Sequence, residues 1–137
     1  MTVAKLLTVV IVAFCLAGVV DSSLALREHY NTESSPCNIN DVWDCGTVNH
    51  SPYAVLHGVP VAMIGIVGYA LLAALAGRFP WITAALALAG LIFNLRLTWI
   101  EWKILHTWCI YCVSSQVIIA TIFLLALIAV WRSREQA

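Results

Sequence analysis

The sequence has few charged side chains. Only 10% of its 137 residues are Asp, Glu, Lys or Arg, and 62% are hydrophobic, whereas soluble globular domains average about 25% charged residues. This shortage of charge excludes a soluble globular domain, and the hydrophobicity excludes a disordered chain. Lys and Arg are not in excess over Asp and Glu, seven against seven, so no nucleic-acid partner is expected. A membrane protein remains, small enough to be a single domain over residues 1–137.

The apolar residues are grouped into stretches that approach the length of a membrane span, which is about 20 residues. The predicted helices cover residues 6–26, 55–77, 81–102 and 110–131. We therefore predict an all-α integral membrane fold, a four-transmembrane-helix bundle with an outer loop at about 27–51 between helices 1 and 2. For the first stretch, a secretory signal cleaved near Ser23-Leu24-Ala25 is the alternative.

The few charges are divided unevenly between the two ends of the predicted bundle. One end carries the basic residues Lys5, Arg78, Arg132 and Arg134. The loop at the other end carries the acidic residues Glu28, Glu33, Asp41 and Asp44. Because cytoplasmic segments are enriched in Lys and Arg, we expect a multi-pass protein of the cell (inner) membrane, with both termini cytoplasmic and the loop outside.

Four of the five cysteines fall on the predicted outer, periplasmic side, where disulfides form and persist. Cys37 and Cys45 lie in the polar loop, and Cys109 and Cys112 form a C-x-x-C motif at the start of helix four. Cys15 lies inside the first apolar stretch, where packing as a small hydrophobic residue is expected.

The C-x-x-C spacing places both sulfurs on one face of a helix. The positive end of the helix dipole lowers the pKa of a nearby thiol, most strongly that of the first cysteine. Three interpretations fit the outer cysteines: stapling disulfides, a zinc site, or a relay in which a thiolate attacks a neighbouring disulfide. Zinc is disfavoured because it would need four reduced thiols in an oxidising compartment, so no metal is expected.

The residues around these cysteines resemble the vitamin K epoxide reductase family over nearly the whole chain. The resemblance rests on the loop pair Cys37-x7-Cys45, Ser51 six residues after Cys45, His57-Gly58-Val59-Pro60 opening helix two, Leu97–Ile100, and Trp108-Cys109-Ile110-Tyr111-Cys112. In the analogous quinone-reducing oxidase that recharges the periplasmic disulfide-forming protein, the C-x-x-C precedes helix two. Here it comes second, at helix four, as in the vitamin K epoxide reductases.

This resemblance implies a quinone-dependent thiol–disulfide oxidoreductase that supports disulfide bond formation. Cys109 and Cys112 would be the active-site pair, with Cys112 facing a membrane quinone, ubiquinone or menaquinone. Cys45 would attack the disulfide at Cys109. Cys37 would exchange with a thioredoxin-like partner, expected to be a separate periplasmic protein because no such domain follows helix four.

Two further residues are implied as quinone contacts. Ser51 with Pro52 is typical of a helix N-cap followed by proline at the first helical position, and family members carry a serine or threonine here close to the active-site disulfide. Gln116 stands where the animal enzymes have a tyrosine that contacts vitamin K. We therefore expect reduction of a plain quinone rather than of an epoxide.

Hydroquinone formation also takes up two protons, so a proton donor is expected near Cys112. The candidates from the sequence are His50, His57, His106 and Glu101.

Three other residues carry structural expectations. Trp43, between the loop cysteines, is expected to dock the loop against the mouth of the bundle. Asp21 and Arg96 are the charges nearest the core of the predicted bundle. Both are expected to reach towards the membrane interface rather than into the interior.

A function of another class uses the same residues. A non-enzymatic four-helix membrane scaffold or transporter subunit would need the cysteines only as stapling disulfides. The two hypotheses differ over Cys112, because a staple tolerates its loss and a relay does not.

Overall fold

The computed structural model describes residues 2–32 and 36–136, which are mostly helical. In chain order the elements are α1 (Val3–Tyr30), α2 (Cys45–Asn49), a 3-10 turn (Pro52–Ala54), β1 (Val55–Leu56), β2 (Val59–Pro60), α3 (Val61–Leu75), α4 (Pro80–Ile100), a π-helical turn (Glu101–Leu105) and α5 (Ile110–Glu135). Glu33, counted above among the acidic residues of the loop, lies outside the described residues.

Among the residues that the structure describes, three helical segments are long and apolar enough to cross a membrane: α1, α4 together with the π-helical turn, and α5. The fourth helix, α3, has 15 residues, which corresponds to about 22 Å and falls short of the roughly 30 Å hydrocarbon core. Large apolar side chains such as Leu16, Ile92 and Val117 are more than half exposed on the outer faces of the helices. This outward apolar surface is that of a membrane protein.

The predicted helix over residues 55–77 begins too early. Residues 55–60 instead form an antiparallel hairpin of β1 and β2, with His57 and Gly58 as its two-residue turn. Both turn residues are left-handed, with φ of 51° and 82°, as the tightest hairpin turns require. The helix starts only after Pro60, a residue that cannot donate a backbone hydrogen bond. Hydropathy did not reveal this break because the strand residues Val55, Leu56 and Val59 are as apolar as the helix that follows them.

The core of the bundle forms where α1 packs against α3 and α5, and where α4 packs against α5. Its main buried cluster contains Ile11, Cys15, Tyr69, Leu72, Ala87, Ile119 and Ile122. Cys15 is fully buried in this cluster, so its expected packing role is confirmed. A Cβ atom on Gly18 would lie 2.5 Å from the Tyr69 ring, so α1 and α3 approach too closely there for any larger residue.

The chain termini and the α3–α4 turn meet at one end of the bundle. The guanidinium of Arg134, near the end of α5, lies 5.0 Å from the ring centroid of Trp81 at the start of α4. Gly77, in the turn between α3 and α4, lies against the side chain of Thr8 in α1. Basic residues of the first and last helices therefore share one end.

The cysteine loop lies at the opposite end. The link from α1 to the loop is made by His29, whose Nδ1 lies 2.7 Å from the backbone oxygen of Asn49 in α2. The C-terminus of α1, the loop and the start of α5 are therefore neighbours, and this is where the candidate site forms.

Candidate functional site

The loop is fastened to the segment that immediately precedes the C-x-x-C motif. Trp43 and Trp108 form a parallel backbone bridge, in which the N–H of Asp44 donates to the Trp108 carbonyl at 2.9 Å and the N–H of Trp108 donates to the Val42 carbonyl at 2.6 Å. The two indole rings lie 6.4 Å apart. The docking expected of Trp43 is thus observed, through both its backbone and its ring.

This docking brings the two cysteine pairs into one buried cluster. Cys37 and Cys45 are joined in a disulfide, with their Cα atoms 5.6 Å apart. Cys37, Cys45 and Cys109 are buried together with Val48, and the half-buried Cys112 packs against them. The four cysteines that the sequence singled out therefore lie side by side.

The two residues of the loop disulfide differ slightly in access to solvent. Cys37 keeps 7% of its surface exposed, whereas Cys45 and Cys109 keep none. Cys37 is consequently the member of the loop pair closer to water, and Cys45 is the member enclosed with Cys109.

Cys109 occupies the N-cap position of α5. A hydrogen bond from the Cys112 thiol lowers the pKa of the Cys109 thiol, and the backbone N–H groups of Cys112 and Tyr111 act in the same direction. Burial and the nearby Glu101 carboxyl oppose this effect, but the net direction of the pKa is downwards. Cys109 is therefore the cysteine of the pair whose pKa is lowered, the direction that its position at the helix start predicts.

One residue of the site, Asn49, was missed by the sequence reasoning. Its side chain is 6% exposed, and its Nδ2 donates to the carbonyl of Cys45 at 2.8 Å and to the Cys109 sulfur at 3.4 Å. Asn49 thus bridges the two cysteine pairs. A single asparagine has no sequence pattern that indicates such a role. Asn49 lies beside Cys45 because both belong to the short helix α2, in which residues four apart share one face.

A cavity of about 310 Å³ lies inside the bundle next to the C-x-x-C motif. Cys112 lines it, whereas Cys109 is not among the described residues that do so. Its wall is mainly apolar, with a few polar side chains that include Ser51, Asn94 and Tyr69. Apolar cavities of this size with few polar groups are typical binding sites for small organic ligands.

The two residues implied as quinone contacts are placed differently. Ser51 lines the cavity, and its Oγ donates to the carbonyl of Val48 at 2.7 Å. It occupies the N-cap position of the 3-10 turn and Pro52 is the first residue of that turn, so the predicted N-cap is confirmed, although the Ser51 side chain makes no capping hydrogen bond. Gln116 is not among the described cavity-lining residues; its Oε1 instead accepts a hydrogen bond from Thr98 at 3.4 Å, between α4 and α5.

Of the four candidate proton donors, the structure brings one to the cavity. Within the described chain, His50, His57 and His106 are exposed and stand outside the cavity lining. Glu101 lines the cavity and is 2% exposed.

The carboxyl of Glu101 lies between the C-x-x-C motif and the cavity. Its Oε2 accepts the backbone N–H of Cys109 at 3.2 Å, and the carboxyl also interacts with the Cys112 thiol. Its Oε1 is buried, and no residue in the described part of the chain donates a hydrogen bond to it. Glu101 begins the π-helical turn, a local widening of the helix that often occurs at functional sites.

Asp21 was expected to reach towards the membrane interface, but it lines the cavity. The reason is that α1 continues to Tyr30 rather than ending near residue 26, so Asp21 lies well inside the helix. Arg96, by contrast, is exposed on the outside of α4.

The zinc interpretation finds no matching arrangement. In residues 2–32 and 36–136 there is no group of three or more His, Cys, Asp or Glu side chains that would hold a metal ion. Cys37 and Cys45 are bonded to each other, whereas a four-cysteine site would need both as thiolates.

Comparison with known proteins adds one finding. A sequence model of the vitamin K epoxide reductase family matches residues 9–127, a range that includes all five cysteines. No curated protein matches the chain.

Proposed function

Since this chain belongs to the vitamin K epoxide reductase family, we propose that it is a quinone-dependent thiol–disulfide oxidoreductase that supports disulfide bond formation. Family membership makes it an oxidoreductase that acts on thiols. The observation that carries the finer proposal is the position of the C-x-x-C pair. Cys109 packs against the loop disulfide, and Cys112 lines the cavity.

Electrons enter through the loop pair. A dithiol of a thioredoxin-like protein reduces the Cys37–Cys45 disulfide, beginning at Cys37 because it is the more exposed residue of the two. The partner leaves as a disulfide, and both loop cysteines become thiols. The partner is a separate extracytoplasmic protein.

Electrons then pass to the helix pair by a second exchange. The Cys45 thiolate attacks a Cys109–Cys112 disulfide at Cys109, and Cys112 leaves as a thiol. Cys37 next attacks Cys45, which closes the loop disulfide and releases Cys109. The structure has a closed loop pair and an open helix pair, which corresponds to the state after this exchange.

The final acceptor is a membrane quinone, ubiquinone or menaquinone, held in the cavity. A bound quinone accepts two electrons and two protons and becomes a hydroquinone. The apolar wall of the cavity suits a ring with an apolar tail, and Cys112 and Ser51 are the sulfur and hydroxyl that would border it. Gln116, which faces Thr98, has weaker support as a contact.

The membrane arrangement follows the charges. We place the termini, with Lys5, Arg132 and Arg134, in the cytoplasm and the cysteine end in the periplasm. The short α3, extended by the hairpin before it, completes a fourth crossing. Residues 1–137 then form one membrane domain, which brings thiols from water and a quinone from lipid to the same site.

The proposal is tested by turnover in lipid nanodiscs with a reduced thioredoxin-like protein and ubiquinone or menaquinone. The wild type is expected to oxidise the dithiol and reduce the quinone in equal amounts, and Cys112→Ala is expected to do neither. Cys15→Ala removes a buried thiol outside the site and is the matched control. A Cys112→Ala protein that oxidised the dithiol at the wild-type rate would contradict the proposal and favour a scaffold with stapling disulfides.

A further inference from the structure

We propose that Glu101 is the proton-transferring residue of the C-x-x-C pair. Its carboxyl takes the proton of the Cys112 thiol as that sulfur is oxidised, and passes it to an oxygen of the quinone in the cavity. This inference rests on the proposed function and assigns the proton donor that the reaction needs.

The geometry of the carboxyl is the first argument. Oε2 is fixed by the N–H of Cys109 at 3.2 Å, which holds the side chain against the reacting pair. Oε1 is buried, and within the described residues it has no hydrogen-bond partner. A buried carboxyl oxygen left without a donor is unfavourable, so a purely structural role does not explain it. A role in which the carboxyl gains and loses a proton does.

The second argument is the location of Glu101 relative to both reactants. It interacts with the Cys112 thiol on one side and lines the cavity on the other. A proton donor must lie within hydrogen-bond reach of the groups that it serves. In the described chain, Glu101 is the one carboxyl that meets both conditions.

The charged surroundings are consistent with this role. The titratable groups facing Glu101 from the start of α5 are the Cys109 and Cys112 thiols. Across the cavity, α1 contributes Asp21 and His29. Lys103, on the same π-helical turn, is exposed and lies 4.1 Å from the ring of Trp102, so it is directed away from the carboxyl.

Oxidation of the Cys109–Cys112 pair by the quinone transfers two electrons and two protons. The reduced pair starts with Cys109 as a thiolate and Cys112 as a thiol, and ends as a disulfide after losing two electrons to the quinone. The proton of Cys112 moves to the Glu101 carboxylate and from there to one quinone oxygen. The second proton comes from water, and Glu101 returns to its starting state.

The test compares Glu101→Gln with the wild type. Glutamine keeps the size of the side chain and an oxygen that accepts the Cys109 N–H, but it cannot carry the proton. The rate at which pre-reduced protein passes electrons to a water-soluble quinone in a single turnover should fall by about 100-fold, the lower end for loss of a general acid–base group. Exchange between Cys45 and Cys109, measured without quinone, should stay within about twofold. Glu28→Gln is the matched control, because Glu28 is also buried in the membrane domain and is not among the described cavity-lining residues.

A second readout does not depend on quinone. Infrared difference spectra between the oxidised and reduced protein should contain a carboxyl band, because Glu101 loses its thiol neighbour when the disulfide closes. The band should vanish in Glu101→Gln and persist in Glu28→Gln. If Glu101→Gln does not fold, isotope-labelled glutamate shows that the band belongs to one of the four glutamates, and its persistence in Glu28→Gln, Glu33→Gln and Glu135→Gln assigns it to Glu101.

The outcomes separate the two proposals. Absence of quinone reduction by the wild type would refute the proposed function itself. An active wild type, together with unchanged single-turnover rates in Glu101→Gln or no glutamate band in the infrared spectra, would overturn the role of Glu101 alone.

Discussion

The two cysteine pairs of this protein differ in the environment of their sulfurs. The loop pair, Cys37 and Cys45, is closed, and Cys37 keeps a little solvent exposure. The helix pair, Cys109 and Cys112, is open, with one sulfur at the N-cap of α5 and the other lining an apolar cavity. In each pair, one cysteine packs against the other pair. The second cysteine of the loop pair keeps slight contact with water, and the second cysteine of the helix pair lines the apolar cavity.

This difference gives the relay a direction. A pair at the water side suits exchange with a protein dithiol, and a pair at the cavity suits transfer to a lipid-soluble acceptor. Cys109 is the point where the two pairs meet, since it is buried with Cys45 and accepts a hydrogen bond from Asn49. Variants that remove the separate features of the two pairs should therefore fail at different steps.

The largest effect is expected from removing one cysteine of the loop pair. Cys37→Ala should reduce oxidation of a thioredoxin-like protein by about 100-fold or more, because partner exchange needs that sulfur. Oxidation of dithiothreitol, which is small enough to reduce the helix pair directly, should persist. Equal losses with both substrates would contradict separate roles for the two pairs, and Cys15→Ala is the control for thiol loss elsewhere.

A smaller effect is expected from weakening the contact between the pairs. Asn49→Ala removes the donor to the Cys109 sulfur and to the Cys45 carbonyl, and a lost hydrogen bond to a charged group corresponds to about 1.5–3 kcal/mol. Exchange between the pairs should slow by about tenfold or more. Asn40→Ala, which removes hydrogen bonds to Val42 and Trp43 in the same loop, should change it by less than about threefold. Stopped-flow measurement of the exchange distinguishes the two variants.

The next prediction concerns ionisation within the helix pair. The Cys112 thiol is the main cause of the lowered pKa of Cys109, so Cys112→Ala should raise that pKa and move the appearance of the Cys109 thiolate to higher pH. Cys112→Ser keeps a hydroxyl donor and should cause a smaller shift. The ultraviolet absorbance of the thiolate, followed against pH in the reduced protein, measures both. An unchanged titration in Cys112→Ala would contradict the assignment of Cys109 as the thiolate.

The smallest effect is expected from removing one polar side chain from the wall of the cavity. Ser51→Ala should raise the KM for quinone by about threefold, the size of one modest polar contact, because Ser51 lines the cavity. Gln116→Ala should leave KM nearly unchanged, because Gln116 faces Thr98 instead. The reverse order of effects would mean that the quinone lies deeper between α4 and α5 than proposed.

Much of the site could be predicted because cysteines carry their chemistry in their spacing. The C-x-x-C motif at a helix start led to Cys109 as the thiolate, and the structure has this cysteine at the N-cap with a lowered pKa. The apolar stretches likewise predicted the long helices α1, α4 and α5.

The parts of the fold and of the site that were not predicted depend on backbone geometry, which hydropathy does not report. The hairpin turn at His57 and Gly58 is set by two left-handed residues inside an apolar run. The π-helical turn at Glu101 cannot be distinguished from ordinary helix in the sequence. Asn49 and Asp21 acquire meaning only from three-dimensional neighbours, so no sequence pattern could separate them from other polar residues.

The central claim is that Cys45 passes electrons to Cys109, and trapping a disulfide between these two cysteines tests it most directly. The mixed disulfide is normally resolved by Cys37 or by Cys112, so a Cys37→Ala, Cys112→Ala double variant keeps Cys45 and Cys109 without either resolving thiol. Mass spectrometry after mild oxidation of this variant should find a Cys45–Cys109 crosslink, whereas a Cys45→Ala, Cys112→Ala variant, which keeps Cys37, should form far less crosslink to Cys109. Cys45 and Cys109 left as free thiols in the first variant, or a Cys37–Cys109 crosslink that forms as readily in the second, would contradict the relay.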